Sequence, residues 1–203
     1  MATTEPVVHI VDDDESVRKS LRWLIESVGL EVSCYDSATA FTSASVEHGP
    51  GCVVLDVRMP GMSGLDLQEQ LSQTDLPLPV IIVTGHADVP MAIRALKNGA
   101  FDFIEKPYND QHLLDRVQDA ISHSAASHTA EVRKQEAQLR IDSLTPREHQ
   151  VMALVTEGCP NKQIAAELNL SIKTVETHRA NLMTKMQANS LPALIKIVMQ
   201  ATN

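Results

Sequence analysis

Four short apolar runs constrain the fold of this chain more than any other feature. They are VVHIV at 7–11, CVVLD at 52–56, VIIVT at 80–84 and FDFIE at 101–105. Each has the length of a buried strand. A further run, EVSCY at 31–35, alternates as a strand does. Helical spacing fills the intervals. SVRKSLRWLIESVG sets Val17, Leu21, Leu24 or Ile25, and Val28 on one stripe, and Gly29 ends it. Further helices are expected near 37–47, 64–72, 88–98 and 110–122. Strand and helix in alternation predict an α/β fold: a doubly wound, five-stranded parallel sheet with helices on both faces.

The composition narrows what can pack this sheet. Only 3% of the 203 residues are aromatic, so the cores must rest on Val, Ile, Leu, Met and Ala. No apolar run approaches the roughly 18 residues of a membrane span. The N-terminus does not read as a signal peptide. Cys34, Cys52 and Cys159 are scattered, without zinc spacing, as expected of unpaired thiols in a reducing cytoplasm.

Charge divides the chain. The net charge is −9 overall, but residues 1–141 carry −10 and residues 142–203 carry +1. Two units with different partners are expected: 1–123, then a linker over 124–142, then 143–203. The linker, SAASHTAEVRKQEAQLR and onward, lacks Pro and Gly and has no sustained heptad. It reads as helical, continuing the helix before it. A coiled-coil seam is the competing reading of the same stretch.

Beyond Leu144 the signals are helical only. Thr145, Pro146 and Glu148 form a helix start with a capping box, and Gly158 ends that helix. Asn161 is placed as the cap of KQIAAEL, and Ser171 as the cap of IKTVETHRANLMTKM. A fourth helix is expected from about Ser190 to Gln200. The result is a small all-α domain of four helices.

The strand ends carry the chemistry. The first strand ends in Asp12–Asp13, CVVLD in Asp56, VIIVT in Thr84, and FDFIEK in Lys106. In an open parallel sheet these ends share one edge, where such folds bind ligands. Clustered carboxylates repel unless a cation lies between them. Hard oxygen donors favour Mg²⁺, which uses few carboxylates and keeps waters. A shielded carboxylate can then act as nucleophile toward phosphorus, with ammonium and metal neutralising the transferred group. Asp14 and Glu15 belong instead to the helix start, where negative charge is favoured. His86 reads as a surface loop residue.

These residues also carry a resemblance. DDDE after the first strand, LDVRMPGMSG at 55–64 and VTGHADVPMAIRALKNGAFDFIEKP at 83–107 resemble the receiver domain of two-component response regulators, a flavodoxin-like fold. The resemblance implies Asp56 as phosphoacceptor. It implies Mg²⁺ on Asp13, Asp56 and the backbone carbonyl of Arg58, with Asp12 acting through a metal-bound water. Thr84 and Lys106 would contact the phosphoryl group, and Phe103 would be the aromatic switch residue. Gly61 and Gly64 would shape the loop after Asp56, and Lys106–Pro107 would be cis.

In the C-terminal unit, the helix 172–186 has two faces at 100° per residue. Ile172, Val175, Leu182, Met183 and Met186 gather on one. Lys173, Glu176, Thr177, Ala180 and Thr184 gather on the other, with Thr174 and Asn181 flanking. Such a slim polar face suits a major groove. With KQIAAEL and a turn at Asn169–Leu170 before it, the arrangement is a helix-turn-helix. SLTPREHQVMALVTEG and the helices after it resemble the LuxR-type DNA-binding domain, and the whole chain resembles the FixJ-type members of the NarL/FixJ regulators. Base contacts are thereby placed on Glu176, Thr177 and Ala180 or Asn181, and phosphate contacts on Lys173, Thr174, His178 and Lys185. Arg179 lies beside the packed stripe, open to an ion pair with Glu148 or to a phosphate. A net +1 is weak for a DNA-binding module, so two copies are expected to bind together.

The expectation is a phosphorylation-activated transcription regulator. A sensor histidine kinase, promoter DNA and RNA polymerase would be its partners, and a homodimer would form on phosphorylation. It would be no enzyme beyond its own phosphorylation and dephosphorylation. One rival is DNA binding independent of phosphorylation, with the first domain as a passive dimerisation module. The second is an aspartate-based phosphatase, which commonly needs a nearby second acid as proton donor, such as one two residues after its nucleophile. Arg58 stands there. A third, a phosphate-shuttling receiver without DNA output, is disfavoured by residues 143–200.

Overall fold

The computed structural model describes residues 5–44, 49–73 and 78–202. Five strands form one parallel sheet: β1 Val7–Val11, β2 Glu31–Tyr35, β3 Gly51–Leu55, β4 Val80–Thr84 and β5 Asp102–Glu105. Their order is β2-β1-β3-β4-β5, as expected of a doubly wound fold. Helices α1 Glu15–Glu26, α2 Ala38–Ser43, α3 Gly64–Leu71, α4 Val89–Lys97 and α5 Asp110–Asp142 connect and follow the strands.

The alternation of side chains along each strand builds two cores. Cys52 and Val54 of β3, with Ile81 and Val83 of β4, pack against Leu21 and Ile25 of α1 and Leu113 and Val117 of α5. Val53 and Leu55, with Val80 and Ile82, face Phe41 of α2, Leu65 and Leu67 of α3 and Ala95 of α4. Full burial of side chains of this size stabilises by roughly 1.5–3 kcal/mol each. β3 and β4 are buried throughout, which is why their sequences run apolar rather than alternating. Burial also pushes the Cys52 thiol up to about 12.

Some boundaries differ from expectation. α1 ends at Glu26, so Val28 lies beyond it and is exposed. α2 is shorter than 37–47, and residues 45–48 lie outside the described residues. The stretch 124–142 falls within α5, which runs unbroken for 33 residues. Among the described residues no helix is long and apolar enough to cross a membrane.

The chain divides into two compact units between His128 and Thr129. The second contains α6 Pro146–Thr156, α7 Asn161–Glu167, α8 Ile172–Lys185 and α9 Leu191–Thr202. Its core joins Val151, Val155, Ile164, Val175, Leu182, Met186 and Leu194. The capping box starts α6: the Thr145 hydroxyl accepts from the Glu148 amide, and the Glu148 carboxylate accepts from the Thr145 amide. Gly158, at φ +88°, turns the chain out of α6. Two expectations are corrected here. Pro160, not Asn161, is the N-cap of α7. Ile172, expected on the packed stripe of α8, is 48% exposed, because it occupies the first helical position, at the edge of the core.

Candidate functional site

The first site lies along the carboxyl edge of the sheet. β3 is flanked by β1 and β4, so residues just past these three strands converge. Asp12 follows β1, Asp56 follows β3, and Thr84 is the last residue of β4. All three are buried, at 3%, 8% and 1% exposure. Lys106, just past β5, completes the edge. Its ammonium donates to Asp12 Oδ2 at 2.9 Å and to Asp56 Oδ1 at 3.1 Å. One cation thus joins two carboxylates from different strands.

Each remaining oxygen has a defined role. Asp56 Oδ2 accepts from the Arg58 amide at 2.7 Å. Asp12 Oδ1 accepts from the Asp14 amide at 2.9 Å, and its backbone carbonyl accepts from Arg18 at 2.6 Å. Asp14 caps α1, accepting from the Ser16 and Val17 amides, as its place at the helix start predicts. Those two bonds hold its carboxyl below the ordinary range. The Thr84 hydroxyl accepts a long bond, 3.4 Å, from the His86 amide, whose side chain is exposed. Lys106–Pro107 is cis.

Electrostatics follow from this burial. Burial pushes the Asp56 carboxyl above its ordinary range, and the Lys106 ammonium offsets this only in part. Burial works against the Lys106 charge too, yet Asp12 and Asp56 together outweigh it and hold its pKa above the usual value. The loop after Asp56 depends on glycine at two points. Gly61 takes φ +81°. A Cβ on Gly64 would collide with the Asp56 carbonyl, so α3 can start this close to Asp56 only with glycine. Phe103 is half-buried and packs on the core beneath α3 and α4.

The donor set fits Mg²⁺. Among the described residues no three acidic, His or Cys side chains form a closed metal cage. Buried Asp12 and Asp56, exposed Asp13 and the adjacent Arg58 carbonyl instead offer a few hard oxygens at an open edge. Mg²⁺ prefers such partial sets, because it retains water.

The second site is the outer face of α8. Ser171 caps this helix through the Thr174 amide. The turn before it uses Asn169 at φ +54°. Lys173, Glu176, Thr177, Ala180 and Asn181 are exposed, while Thr174 and His178 are half-buried. The Thr177 hydroxyl donates to the Lys173 carbonyl within the helix. Two expectations change. Lys185, expected on a phosphate, donates to the buried Glu148 carboxylate at 2.7 Å and to the Ser143 carbonyl at 3.2 Å. The Lys185 ammonium, followed by the Thr145 amide, holds the Glu148 carboxyl down at about 2. Arg179 does not pair with Glu148; it donates to Asn161 Oδ1 at 2.8 Å. The signal for Lys185 was the capping-box glutamate itself: once buried, Glu148 needs a cation.

Comparison with known proteins identifies both domains. The model of the response regulator receiver domain matches residues 8–118, and that of the bacterial regulatory proteins of the luxR family matches 142–198. The transcriptional regulatory protein FixJ of Bradyrhizobium diazoefficiens is 44% identical over 98% of this chain and 97% of its own length. FixJ of Rhizobium meliloti is 43% identical, covering 97% and 96%. Among solved structures, the response regulator StyR superposes with a TM-score of 0.89 at 42% identity, over 97% of this chain and all of that one. Full-length FixJ from B. japonicum gives 0.58 at 43% identity, over 98% of each. The chain belongs to the response regulators of FixJ type, two-component transcription regulators that join a receiver domain to a LuxR-type DNA-binding domain.

Proposed function

We propose that Asp56 accepts a phosphoryl group from a sensor histidine kinase and that this switches promoter binding by α8. The observation that carries the reading is the single Lys106 ammonium shared by Asp12 and Asp56, at 2.9 and 3.1 Å, beside buried Thr84. An Asp56 oxygen bonds to phosphorus while the phosphorus–nitrogen bond of the kinase phosphohistidine breaks. The electron pair returns to the ring nitrogen, and an acyl phosphate remains on Asp56. Lys106 neutralises the oxygens of the transferring group. Asp13, Asp56 and the Arg58 carbonyl would hold Mg²⁺, with Asp12 acting through a water. When bound, the metal would offset the crowded negative charge.

The phosphoryl group then offers acceptors to the Thr84 hydroxyl. Thr84 immediately precedes the loop 85–88 that leads into α4, so its movement reaches that helix. Phe103, packed on the same core, follows. In this reading the changed surface of α4 and β5 pairs two chains, or frees the DNA-binding unit, and two α8 helices meet two half-sites. Glu176, Thr177 and Ala180 or Asn181 read bases; Lys173, Thr174 and His178 hold phosphates. Contact with RNA polymerase would follow at the promoter, in the cytoplasm. The acid, threonine and lysine set, assembled at one edge, supports this reading over a passive receiver. Genomic-fragment capture by the full chain, with and without acetyl phosphate and Mg²⁺, tests it. Enrichment only after phosphorylation is expected; equal enrichment in both states would favour the passive receiver.

A further inference from the structure

Gln68 is, among the described residues, the most deeply buried polar side chain of the receiver away from the acid site. It lies on α3 directly after buried Leu67 and one turn after buried Leu65, and is 1% exposed. Its Nε2 donates to the Ala95 carbonyl in the last turn of α4 at 2.8 Å. That carbonyl already accepts from the Ala100 amide at 2.9 Å. Gln68 Oε1 is buried and meets no donor among the described residues. At the surface, Arg94 of α4 reaches Asp66 and Glu69 of α3 at 2.8 and 3.4 Å. These half-exposed pairs add little holding force.

An enclosed amide with one oxygen unpaired is poor core material. A methionine of similar shape would fill the space without the desolvated oxygen. The Ala95 carbonyl does not need Gln68 either, since Ala100 satisfies it. The amide therefore contributes less to stability than to where α4 sits. α4 is otherwise weakly held: Ala95 is its only buried residue, and Val89, Ile93 and Leu96 are exposed at 72%, 48% and 57%. Its first turn hangs on the Asp88 cap, at the end of the loop that follows Thr84.

We propose that Gln68 is a positioning residue that tethers the last turn of α4 to α3 in the unphosphorylated chain, and that this tether is released when α4 responds to phosphorylation. One end of α4 is then driven by the Thr84 loop, and the other is restrained chiefly by the Gln68 amide, beside the half-exposed Arg94 pairs. The inference rests on the reading that phosphorylation of Asp56 reaches α4 through Thr84.

The test is amide hydrogen exchange of the full-length Gln68→Met chain, with Gln68→Leu as second variant. Loss of one buried hydrogen bond corresponds to about a five-fold change in a local opening equilibrium. Unphosphorylated variants should exchange the amides of residues 92–99 about five-fold faster than the native chain. Their thermal midpoint should not fall, and their DNA capture without phosphorylation should rise. Native-like exchange at 92–99 overturns the proposal. So does faster exchange spread through β3, β4 and α3 with a lowered midpoint, the signature of a merely structural residue. The native chain, treated with acetyl phosphate and Mg²⁺, separates the two levels. If Asp56 gains its phosphoryl group while exchange at 92–99 is unchanged, the reading through Thr84 fails and the tether with it. If the native chain responds but the variants match it before phosphorylation, only the role of Gln68 fails.

Discussion

Replacing Lys185 with Met removes an ammonium 2.7 Å from the Glu148 carboxylate while keeping most of the aliphatic stem. Glu148 is 3% exposed, so water cannot take the vacated place freely. Thr145 remains as its partner, with the amide donating at 2.8 Å. Breaking a fully buried pair costs roughly 3–5 kcal/mol. The Lys185 side chain is 36% exposed, which screens the pair and brings the expected cost to about 2 kcal/mol. Because the pair is internal, DNA affinity should keep its native salt dependence. Loss of a phosphate contact would instead lower the slope of log affinity against log salt by about 1.

The same pair carries a pH signature. The Glu148 carboxyl is held at about 2 in the folded chain, whereas an unfolded glutamate titrates near about 4.3. As pH falls, the unfolded chain takes up the proton first. The stabilisation is therefore complete above about 4.3 and is lost as pH descends toward the folded value. The gap between native and Lys185→Met stability should shrink through that window. Urea unfolding of the full chain, read by pulsed hydrogen exchange on peptides from α6 and α8, measures it. The reasoning is refuted if stability is unchanged at neutral pH while the salt slope drops by about one.

Three further outcomes are expected. Gly64→Ala places a Cβ against the Asp56 carbonyl, costing roughly 1–3 kcal/mol and slowing acetyl-phosphate labelling; denaturation and intact mass report both. Glu176→Ala, at an exposed position, should leave stability within about 0.5 kcal/mol and relax base preference at one operator position, as read by selection from a randomised duplex. Burial lowers the pKa of His9, a residue 6% exposed and 3.3 Å from the Tyr35 hydroxyl. Its neutral form is favoured in the fold, so receiver stability should fall as pH drops below about 6.5. His9→Gln should flatten that fall in urea titrations.

The sheet was legible because β3 and β4 are buried on both faces, which leaves uninterrupted apolar runs in the sequence. The acid edge was legible for a related reason: strand ends of a parallel sheet share an edge, so the sequence alone places Asp12, Asp56, Thr84 and Lys106 together. Helix caps were read well where a hydroxyl and a carboxylate stand three apart, as at Thr145 and Glu148. Tertiary partners were not. A helical wheel shows which way Lys185 points but not that α6 brings Glu148 to it. Asn161 looked like a cap, yet its side chain is taken by Arg179 of α8. Gln68 was missed although Leu65, Gln68 and Leu71 step along one stripe of α3. That polar residue on an apolar stripe was the available signal.

The most direct test of the central claim is the intact mass of the full-length chain after incubation with acetyl phosphate and Mg²⁺, followed by peptide mapping. The account predicts one added phosphoryl group, on Asp56, absent in Asp56→Asn and in chelator-treated samples. A phosphoryl group that persists in Asp56→Asn, or one that maps elsewhere in the native chain, would contradict it.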